Sequence, residues 1–248
     1  MPQPEPVNSV APPFRGPAIM SQDWRDLTFV HWAVEPERVA HLMPVGVEVD
    51  TIGGSTYVGL VPFRMVDAGL GRSPRIPWLG TFLETNVRLY SVDATGRRGV
   101  VFLSLDADRA VVVAGARLAL GLPYRWARLS HRRTTGPVGV QHEYDARLRG
   151  PVRGAASRLV VRVGPRRPAT PLDLFLTSRW GLHTRRLGRT LYIPNRHEPW
   201  PLHDAEVTSL DDGLVGSVGL GDLASRPPDH VAFSPGVHSV FGLPVGIA

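Results

Sequence analysis

The sequence contains no cysteine and no lysine, and these two absences exclude whole classes of chemistry. Without cysteine the chain has no thiol nucleophile, no disulfide, no iron–sulfur cluster and no cysteine-ligated zinc. All 28 basic residues are arginine, whose guanidinium stays protonated and cannot form a Schiff base. A GC-rich coding bias is the simpler explanation of this arginine usage. The α-amino group of Met1 is the one primary amine in the chain.

Long hydrophobic runs are also lacking. No apolar run reaches the ~18 residues that a membrane-spanning helix needs. The first 17 residues hold six prolines and do not show the charged and then apolar organisation of a signal peptide. We therefore predict a flexible proline-rich tail over residues 1–20, a single domain over residues 21–248, and a cytoplasmic protein without a membrane partner.

Acidic residues are scarce in one part of the chain, and the formal net charge is +6. Residues 128–167 hold ten arginines against Glu143 and Asp145. Solvated strand faces explain this stretch most simply, and a polyanion-binding or protein-binding surface, an anionic small ligand or a subunit contact remain alternatives. No nucleic-acid-binding signature accompanies the stretch, so nucleic acid is not a predicted partner. A homo-oligomer stays open.

The local patterns predict about ten strands and two or three short helices. Proline, glycine and capping residues mark helices over residues 36–43, 109–120 and 171–180, although three valines in the second also suit a strand. Residues 67–80 are predicted as a loop. Strands are predicted over residues 28–34, 45–52, 55–66, 81–92, 99–105, 124–134, 137–149, 156–164, 184–193, 202–211 and 214–219. Strands and helices do not alternate, so we predict a mainly β fold, a largely antiparallel barrel or two-sheet sandwich.

The strand over residues 81–92 carries the most polar chemistry. Side chains two residues apart share one face of a strand, so one face presents Phe82, Glu84, Asn86, Arg88 and Tyr90. Glu84 and Arg88 are about 13 Å apart along the backbone, and their long side chains can converge on a ligand. Opposite charges flanked by aromatic rings suit a polar pocket inside a barrel. On alternation alone, a wet outer face is the alternative.

Other polar residues are weaker candidates. His31 shares a strand face with apolar residues, a position that suits a hydrogen-bonded histidine of the core as well as a ligand-binding one. Arg64 ends a strand and suits an edge salt bridge equally well. Asp106 also suits a cap of the next element, and Arg179 suits a partner of a helix dipole. The sequence has no G-x-S-x-G or H-E-x-x-H motif and no phosphate-binding loop, so we predict neither a metal nor a cofactor.

Short segments that occur in order over residues 24–205 carry a family resemblance. The segments are Phe29–Trp32, Leu42–Gly46, Val49–Asp50, Tyr57–Met65, Phe82–Tyr90, Val101–Ala107, Ala116–Arg117, Gly121–Tyr124, Phe175–Gly181 and Pro199–Leu202. Together they resemble the uncharacterised bacterial YqjF-like family, within the acetoacetate-decarboxylase-like superfamily. The resemblance implies a cone-shaped β-barrel that encloses a pocket.

The resemblance also implies a change at the catalytic position. Decarboxylases of this superfamily carry an arginine six residues before a proline, and a lysine pair directly after it whose first member forms an imine. Here Arg117 precedes Pro123 by six residues, and Tyr124 and Arg125 follow it. Glu84 matches the barrel-strand glutamate of these enzymes. Since the nucleophile is replaced by a phenol, the resemblance does not extend to imine-based decarboxylation.

These arguments lead to one hypothesis and two alternatives. The chain is predicted to be a barrel that binds a small oxo- or carboxylate-bearing metabolite. On this hypothesis it acts on that metabolite as a lysine-independent lyase, hydratase or proton-transfer enzyme. A non-catalytic ligand-binding protein and an arginine-rich adaptor are the alternatives. The predicted catalytic residues are Glu84 and Tyr124, and the predicted ligand-binding residues are His31, Arg64, Asn86, Arg88 and Arg117.

Overall fold

A computed structural model of the chain describes residues 3–13, 16–71, 80–149 and 154–247. Within these ranges the strands are β1 Met20–Val34, β2 Val47–Val49, β3 Thr56–Leu70, β4 Phe82–Asp93, β5 Arg98–Ala107, β6 Tyr124–Gly136, β7 Gly139–Leu148, β8 Ala156–Arg166, β9 Gly181–Arg186, β10 Arg189–His197, β11 His203–Asp212, β12 His230–Phe241 and β13 Val245–Gly246. The α-helices are α1 Pro36–Ala40, α2 Ala110–Leu120 and α3 Pro171–Thr177. Short 3₁₀ helices cover Gly216–Val218 and Leu223–Ser225.

The strands form one sheet that closes on itself. Pairing of β4 with β5 completes a ring through β5, β6, β7, β8, β11, β12, β1, β3 and β4. Strands β9 and β10 add a second connection between β5 and β12. The β5–β6 and β5–β9 pairs are parallel, and the other pairs of strands in the described part are antiparallel. The predicted mainly β, largely antiparallel barrel is therefore confirmed.

Strands β1, β3 and β4 are buried on both faces, because each face packs against a different hydrophobic core. Successive side chains of a strand point to opposite faces, so neighbouring residues belong to different cores. The first core includes Phe29, Phe63, Tyr90, Tyr124 and Phe175. The second core includes Val30, Leu60, Leu89, Tyr144 and Leu159. Burial on both faces suits the long apolar run of β3, whereas β4 also places polar side chains on a buried face.

The helices follow their capping signals with shifted ends. In α3 the Thr170 hydroxyl accepts a hydrogen bond from the Asp173 backbone N–H, and the Asp173 carboxylate accepts one from the Thr170 N–H, as the sequence predicts. Helix α3 ends at Thr177 rather than near Trp180, and α1 ends at Ala40. Residues 110–120 are helical despite their valines. None of the helices in the described ranges is long and apolar enough to cross a membrane.

Three strand predictions near the C-terminus are wrong or incomplete. Residues 184–193 form parts of β9 and β10, because Leu187 and Gly188 both adopt positive φ and make the tight turn of a hairpin. Residues 216–218 are a 3₁₀ helix within the predicted strand 214–219. Strand β12 is missed because Pro235 and Gly236 interrupt its pattern. In the predicted loop 67–80, β3 continues to Leu70, and residues 72–79 lie outside the described residues.

The N-terminal segment touches the barrel in its described part. The backbone carbonyl of Glu5 accepts a hydrogen bond of 2.6 Å from Arg98, and that of Asn8 accepts one of 3.1 Å from Trp180. Val7 packs against the first core. The division into a tail over residues 1–20 and one domain over residues 21–248 stays a prediction.

Candidate functional site

Glu84 and Tyr124, the two predicted catalytic residues, meet in the first core. The Tyr124 hydroxyl donates a hydrogen bond of 2.9 Å to Glu84 Oε2. Tyr124 begins β6, and its neighbour on β5 is Leu105. Glu84 lies on the other side of β5, opposite Ala107, whose single methyl group leaves room above the strand. The side chains of β4 and β6 therefore reach each other across β5.

Burial decides the protonation state of this pair. Glu84 is 3% exposed and Tyr124 is 8% exposed. Burial raises the pKa of Glu84 to about 8; hydrogen bonds from Tyr124 and Asn86 lower it, and the charge of Asp106 raises it. Burial and the adjacent Glu84 raise the pKa of Tyr124 well above its ordinary value. Glu84 is therefore a neutral carboxylic acid at pH 7, and Tyr124 remains a neutral phenol.

The residue after Tyr124 is turned away from the pair. Arg125 makes a two-pronged ion pair with Asp106, with Nε–Oδ1 at 2.5 Å and Nη2–Oδ2 at 2.8 Å. Asp106 is completely buried. Since adjacent residues of a strand face opposite sides, the Arg125 guanidinium does not lie beside Glu84.

Asn86 offers an unused acceptor next to Glu84. Its side chain is 4% exposed, and its Oδ1 has no hydrogen-bond partner among the described residues. A buried polar atom without a partner costs about 1–3 kcal/mol. A ligand that carries an N–H or O–H group would remove this cost by donating to Oδ1.

His31 and Arg88 meet at Tyr90, further along the same face of β4. His31 Nε2 lies 2.6 Å from the Tyr90 hydroxyl, and Arg88 Nε donates to the same oxygen at 3.2 Å. Arg88 Nη2 also donates to the Leu176 backbone carbonyl at 3.1 Å. Strand β4 thus presents an acid at one end of its buried face and a cation with a histidine at the other.

Gly59 makes room for this contact. Strand β3 lies between β1 and β4, and Gly59 pairs with His31 on one side and with Arg88 on the other. A Cβ atom at Gly59 would lie 2.9 Å from His31 Cδ2 and 3.3 Å from Arg88 Cγ. A side chain at this position would therefore push the imidazole and the guanidinium out of place.

Two predicted ligand-binding residues lie elsewhere. Arg64 follows Phe63, which pairs with Glu84, so its side chain points to the opposite face of β3. There it is exposed and forms an ion pair of 3.0 Å with Asp26. Arg117 is exposed in the last turn of α2. The structure thus groups His31, Asn86, Arg88, Glu84 and Tyr124 along the first core and leaves Arg64 and Arg117 outside it.

Sequence reasoning missed two residues that extend the His31 contact. His31 Nδ1 lies 2.9 Å from His230 Nδ1, and His230 Nε2 lies 2.8 Å from Asp173 Oδ1. The paired strands β1 and β12 place His31 directly opposite His230. Asp173 showed only a capping signal in the sequence, and His230 begins the strand that the sequence did not predict.

Arg179 is a further buried cation that the sequence suggested only as a partner of a helix dipole. It is 4% exposed, forms an ion pair with Asp50, and donates from Nε to the Phe175 carbonyl at 2.6 Å. Its guanidinium lies 4.9 Å from the centre of the Tyr90 ring. Its Nη2 atom has no partner among the described residues. The core therefore holds more positive charge beside Tyr90 than Asp50 alone balances, because Asp50 also pairs with Arg98.

The arginine-rich stretch lies on a different surface. A depression of about 460 Å³ is formed by β6, β7, β8 and one residue of β11, and its lining residues include Arg128, Arg147, Arg158, Asp145 and Asp211. Part of the charge is already paired, since Arg158 contacts Glu143 at 2.6 Å. Within the described ranges, no three His, Asp or Glu side chains form a group that could hold a metal ion.

The closed and largely antiparallel sheet has an acetoacetate-decarboxylase-like fold, as its matches to solved structures show. The structure matches an acetoacetate decarboxylase-like enzyme from Sphingomonas wittichii RW1 with a TM-score of 0.64, 15% identity and 94% coverage of both chains. It matches the enduracididine biosynthesis enzyme MppR complexed with pyruvate with a TM-score of 0.60 and 14% identity, over 95% of this chain and 92% of MppR. At sequence identities this low, these structural matches show a shared fold and nothing more.

Sequence similarity identifies the family to which the chain belongs. The chain belongs to the DUF2071 family, described as an uncharacterized conserved protein, whose model matches residues 21–238. It is 31% identical over 218 residues to the uncharacterized protein YqjF of Bacillus subtilis (strain 168), and the match covers 86% of this chain and 87% of YqjF. The family resemblance that the sequence indicated is confirmed.

Proposed function

We propose that this protein binds a small oxo- or carboxylate-bearing metabolite in the first core and transfers a proton to or from it without forming an imine. The observation that carries the proposal is the hydrogen bond of 2.9 Å between Tyr124 and Glu84. The resemblance implies that these are the two positions at which the decarboxylases keep their lysine and glutamate, which supports the assignment. In this role Glu84 and Tyr124 act on the carbonyl group.

A protonated Glu84 supports acid catalysis. With the pKa raised to about 8, the acid keeps its proton at neutral pH and can give it to a carbonyl oxygen or receive it back. Tyr124 donates to Oε2 and Asn86 also donates a hydrogen bond to this carboxyl group, so two neutral donors hold Glu84 in place while it keeps the transferable proton. Asn86 Oδ1 adds an acceptor beside it.

Arg88 supports binding of an anion. It is half-buried, donates to Tyr90 and Leu176, and forms no ion pair with a carboxylate among the described residues. A half-buried guanidinium without an anionic partner favours a carboxylate ligand, which its remaining N–H groups can bind. The MppR structure of the same fold is described as complexed with pyruvate, a ligand that combines the two groups.

The test combines binding with proton exchange. Calorimetry would measure the affinity for pyruvate and acetoacetate, and proton NMR in D₂O would follow exchange of the protons next to their carbonyl groups. We expect Arg88→Met to weaken binding and Glu84→Gln to slow exchange by about 10²–10⁴-fold with less effect on binding. Arg162→Met is the matched control, because Arg162 pairs with Glu206 on the outer strands β8 and β11.

The same experiment separates the proposal from its alternative. If the protein binds these acids but exchange is no faster than in buffer, the non-catalytic ligand-binding protein is the better description. If neither acid binds, or if Arg162→Met weakens binding as much as Arg88→Met does, the proposed site in the first core is wrong.

A further inference from the structure

We infer that Asp173, His230 and His31 form a proton relay that makes Tyr90 the base for a ligand whose anionic group is bound by Arg88. The relay crosses from helix α3 through β12 and β1 to β4. Its three links are Asp173–His230 at 2.8 Å, His230–His31 at 2.9 Å and His31–Tyr90 at 2.6 Å. The inference rests on the proposed small-molecule binding and adds the group that removes a proton from carbon.

The direction of every hydrogen bond in the relay follows from its carboxylate end. Arg167 donates to both oxygens of Asp173 at 2.5 Å and 2.8 Å, and Thr170 donates from its backbone N–H and its hydroxyl. Burial raises the pKa of Asp173, but the hydrogen bonds from Arg167, His230 and Thr170 outweigh it and hold that pKa far below its ordinary value. Asp173 is therefore an ionised acceptor, and His230 Nε2–H donates to it.

The remaining directions are then fixed in turn. A neutral imidazole has one donor and one acceptor nitrogen, so His230 Nδ1 accepts from His31 Nδ1–H. His31 Nε2 is left as the acceptor and receives the Tyr90 O–H. Burial lowers the pKa of His31 and the charge of Arg88 lowers it further, while the charge of Asp173 raises it. His31 therefore passes a proton on rather than keeping it.

Arg88 brings the ligand to the end of the relay. Its Nε donates to the Tyr90 oxygen at 3.2 Å and its Nη2 donates to the Leu176 carbonyl, so the remaining N–H groups of the same guanidinium are left to bind the anion. A phenol oxygen has two lone pairs, and Arg88 uses one of them. The second can accept a proton from the carbon next to the ligand's carbonyl group. A small oxo-carboxylate has both the anion and the acidic C–H bond.

One proton transfer from the ligand moves three protons by one link each. The C–H bond breaks and its electron pair stays on the ligand as an enolate, while the proton joins the Tyr90 oxygen. Tyr90 gives its own proton to His31 Nε2, and His31 gives its Nδ1 proton to His230 Nδ1. His230 becomes an imidazolium beside Asp173, which stays ionised, as the aspartate does in a Ser-His-Asp triad.

The charged groups around the relay favour this charge distribution. Arg88 and Arg179 lie 5.6 Å and 4.9 Å from the centre of the Tyr90 ring. Burial raises the pKa of Tyr90, while Arg88 and Arg179 lower it. At the far end Arg167 pairs with two carboxylates, Asp173 and Asp204, so that end is more negative than the ligand end with its two cations and draws positive charge toward Asp173. The proton therefore rests on His230 rather than on His31.

The test is the uptake of a proton when an enolate analogue binds. Oxalate has the planar arrangement of oxygens of an enolised 2-oxo acid and cannot react. Calorimetric titration of the full chain with oxalate, in buffers of different ionisation enthalpy, counts the protons taken up. We expect about one proton per bound oxalate at neutral pH, because an anion beside Tyr90 favours the imidazolium form of the relay.

Three variants test which residues are responsible for the proton uptake. Tyr90→Phe keeps the ring and removes the link to the ligand, and His230→Gln removes the group that holds the proton; both should bind oxalate with the uptake lost. His238→Gln is the matched control, because His238 pairs with Asp23 at 2.6 Å on the surface. It should keep the full uptake.

The outcomes separate the relay from the proposed function. Oxalate binding without proton uptake, or uptake that survives in both Tyr90→Phe and His230→Gln, overturns the relay and leaves the binding proposal standing. Failure to bind oxalate, pyruvate and acetoacetate overturns both. Failure to bind oxalate by a protein that binds pyruvate overturns the relay alone. Circular dichroism of each variant verifies that the barrel is folded.

Discussion

Replacing Glu84 with glutamine tests the protonation state of the site without any knowledge of the ligand. Glutamine has nearly the shape of glutamic acid, and its amide oxygen can still accept the hydrogen bond from Tyr124. The substitution removes one property, the ability to ionise inside the first core. Any difference between the two proteins that depends on pH therefore reports the ionisation of Glu84.

The sign of the effect follows from the two pKa values. The folded-state pKa of Glu84 is raised from 4.5 to about 8, so between these values the folded chain holds a proton that the unfolded chain has released. The free energy of unfolding must fall as pH rises through this window. A difference of about 3.5 pH units corresponds to about 5 kcal/mol in total. The stabilising contribution is complete below pH 4.5 and lost above about pH 8.

Other buried groups titrate in part of the same range with the opposite sign. Burial lowers the pKa of His142, His183 and His197 to about 4, so their contribution to stability grows as pH rises toward the ordinary histidine value of 6.5. These groups are present in both proteins. Subtracting the curve of Glu84→Gln from that of the unsubstituted chain therefore isolates Glu84.

The assay is urea denaturation of both proteins over a range from about pH 5 to pH 9, in which Glu84 changes its charge. We expect the difference in unfolding free energy to grow steadily in favour of Glu84→Gln and to level off above about pH 8. Parallel curves would refute a raised Glu84 pKa. They would also remove the acid from the proposed mechanism.

Three further substitutions test the surroundings of the site. Tyr124→Lys should restore a trappable amine, so that pyruvate and borohydride give a covalent adduct at position 124; no adduct on a folded protein would contradict an accessible pocket there. Gly59→Ala should lower the free energy of unfolding by about 1–3 kcal/mol, because the new methyl group presses on His31. It should also reduce the proton uptake that accompanies oxalate binding. Asp50→Asn should cost about 3–5 kcal/mol by leaving the buried Arg179 charge unpaired; a cost below about 1 kcal/mol in urea denaturation would show that this pair is not desolvated.

The alternation in β4 was enough to predict which polar residues share a face of the strand, but not whether that face is buried. It predicts that Glu84, Asn86, Arg88 and Tyr90 share a face, and the structure has them on one buried face. Alternation cannot decide whether that face is wet or buried, because both faces of a strand repeat every two residues. The family resemblance supplied that choice, since it implied a barrel around this strand.

The relay could not be predicted from the sequence, because its contacts are long-range. His31 and His230 are 199 residues apart, and His230 and Asp173 are 57 residues apart. They meet only because β12 pairs with β1 in one register. A strand that contains Pro235 and Gly236 carries a weak local signal. Without β12, Asp173 has no visible role beyond the cap of α3.

The missing lysine changes the protonation state of the site as well as its nucleophile. A lysine ammonium within hydrogen-bond distance of Glu84 would favour the ionised carboxylate and lower its pKa. Tyr124 is neutral and gives only a hydrogen bond, so burial dominates and Glu84 keeps its proton near pH 7. Arg125 cannot replace the cation, because Asp106 holds it on the opposite face of β6. In the proposed function a neutral carboxylic acid therefore stands where the resembled enzymes form an imine, which is why we propose proton transfer in the first core.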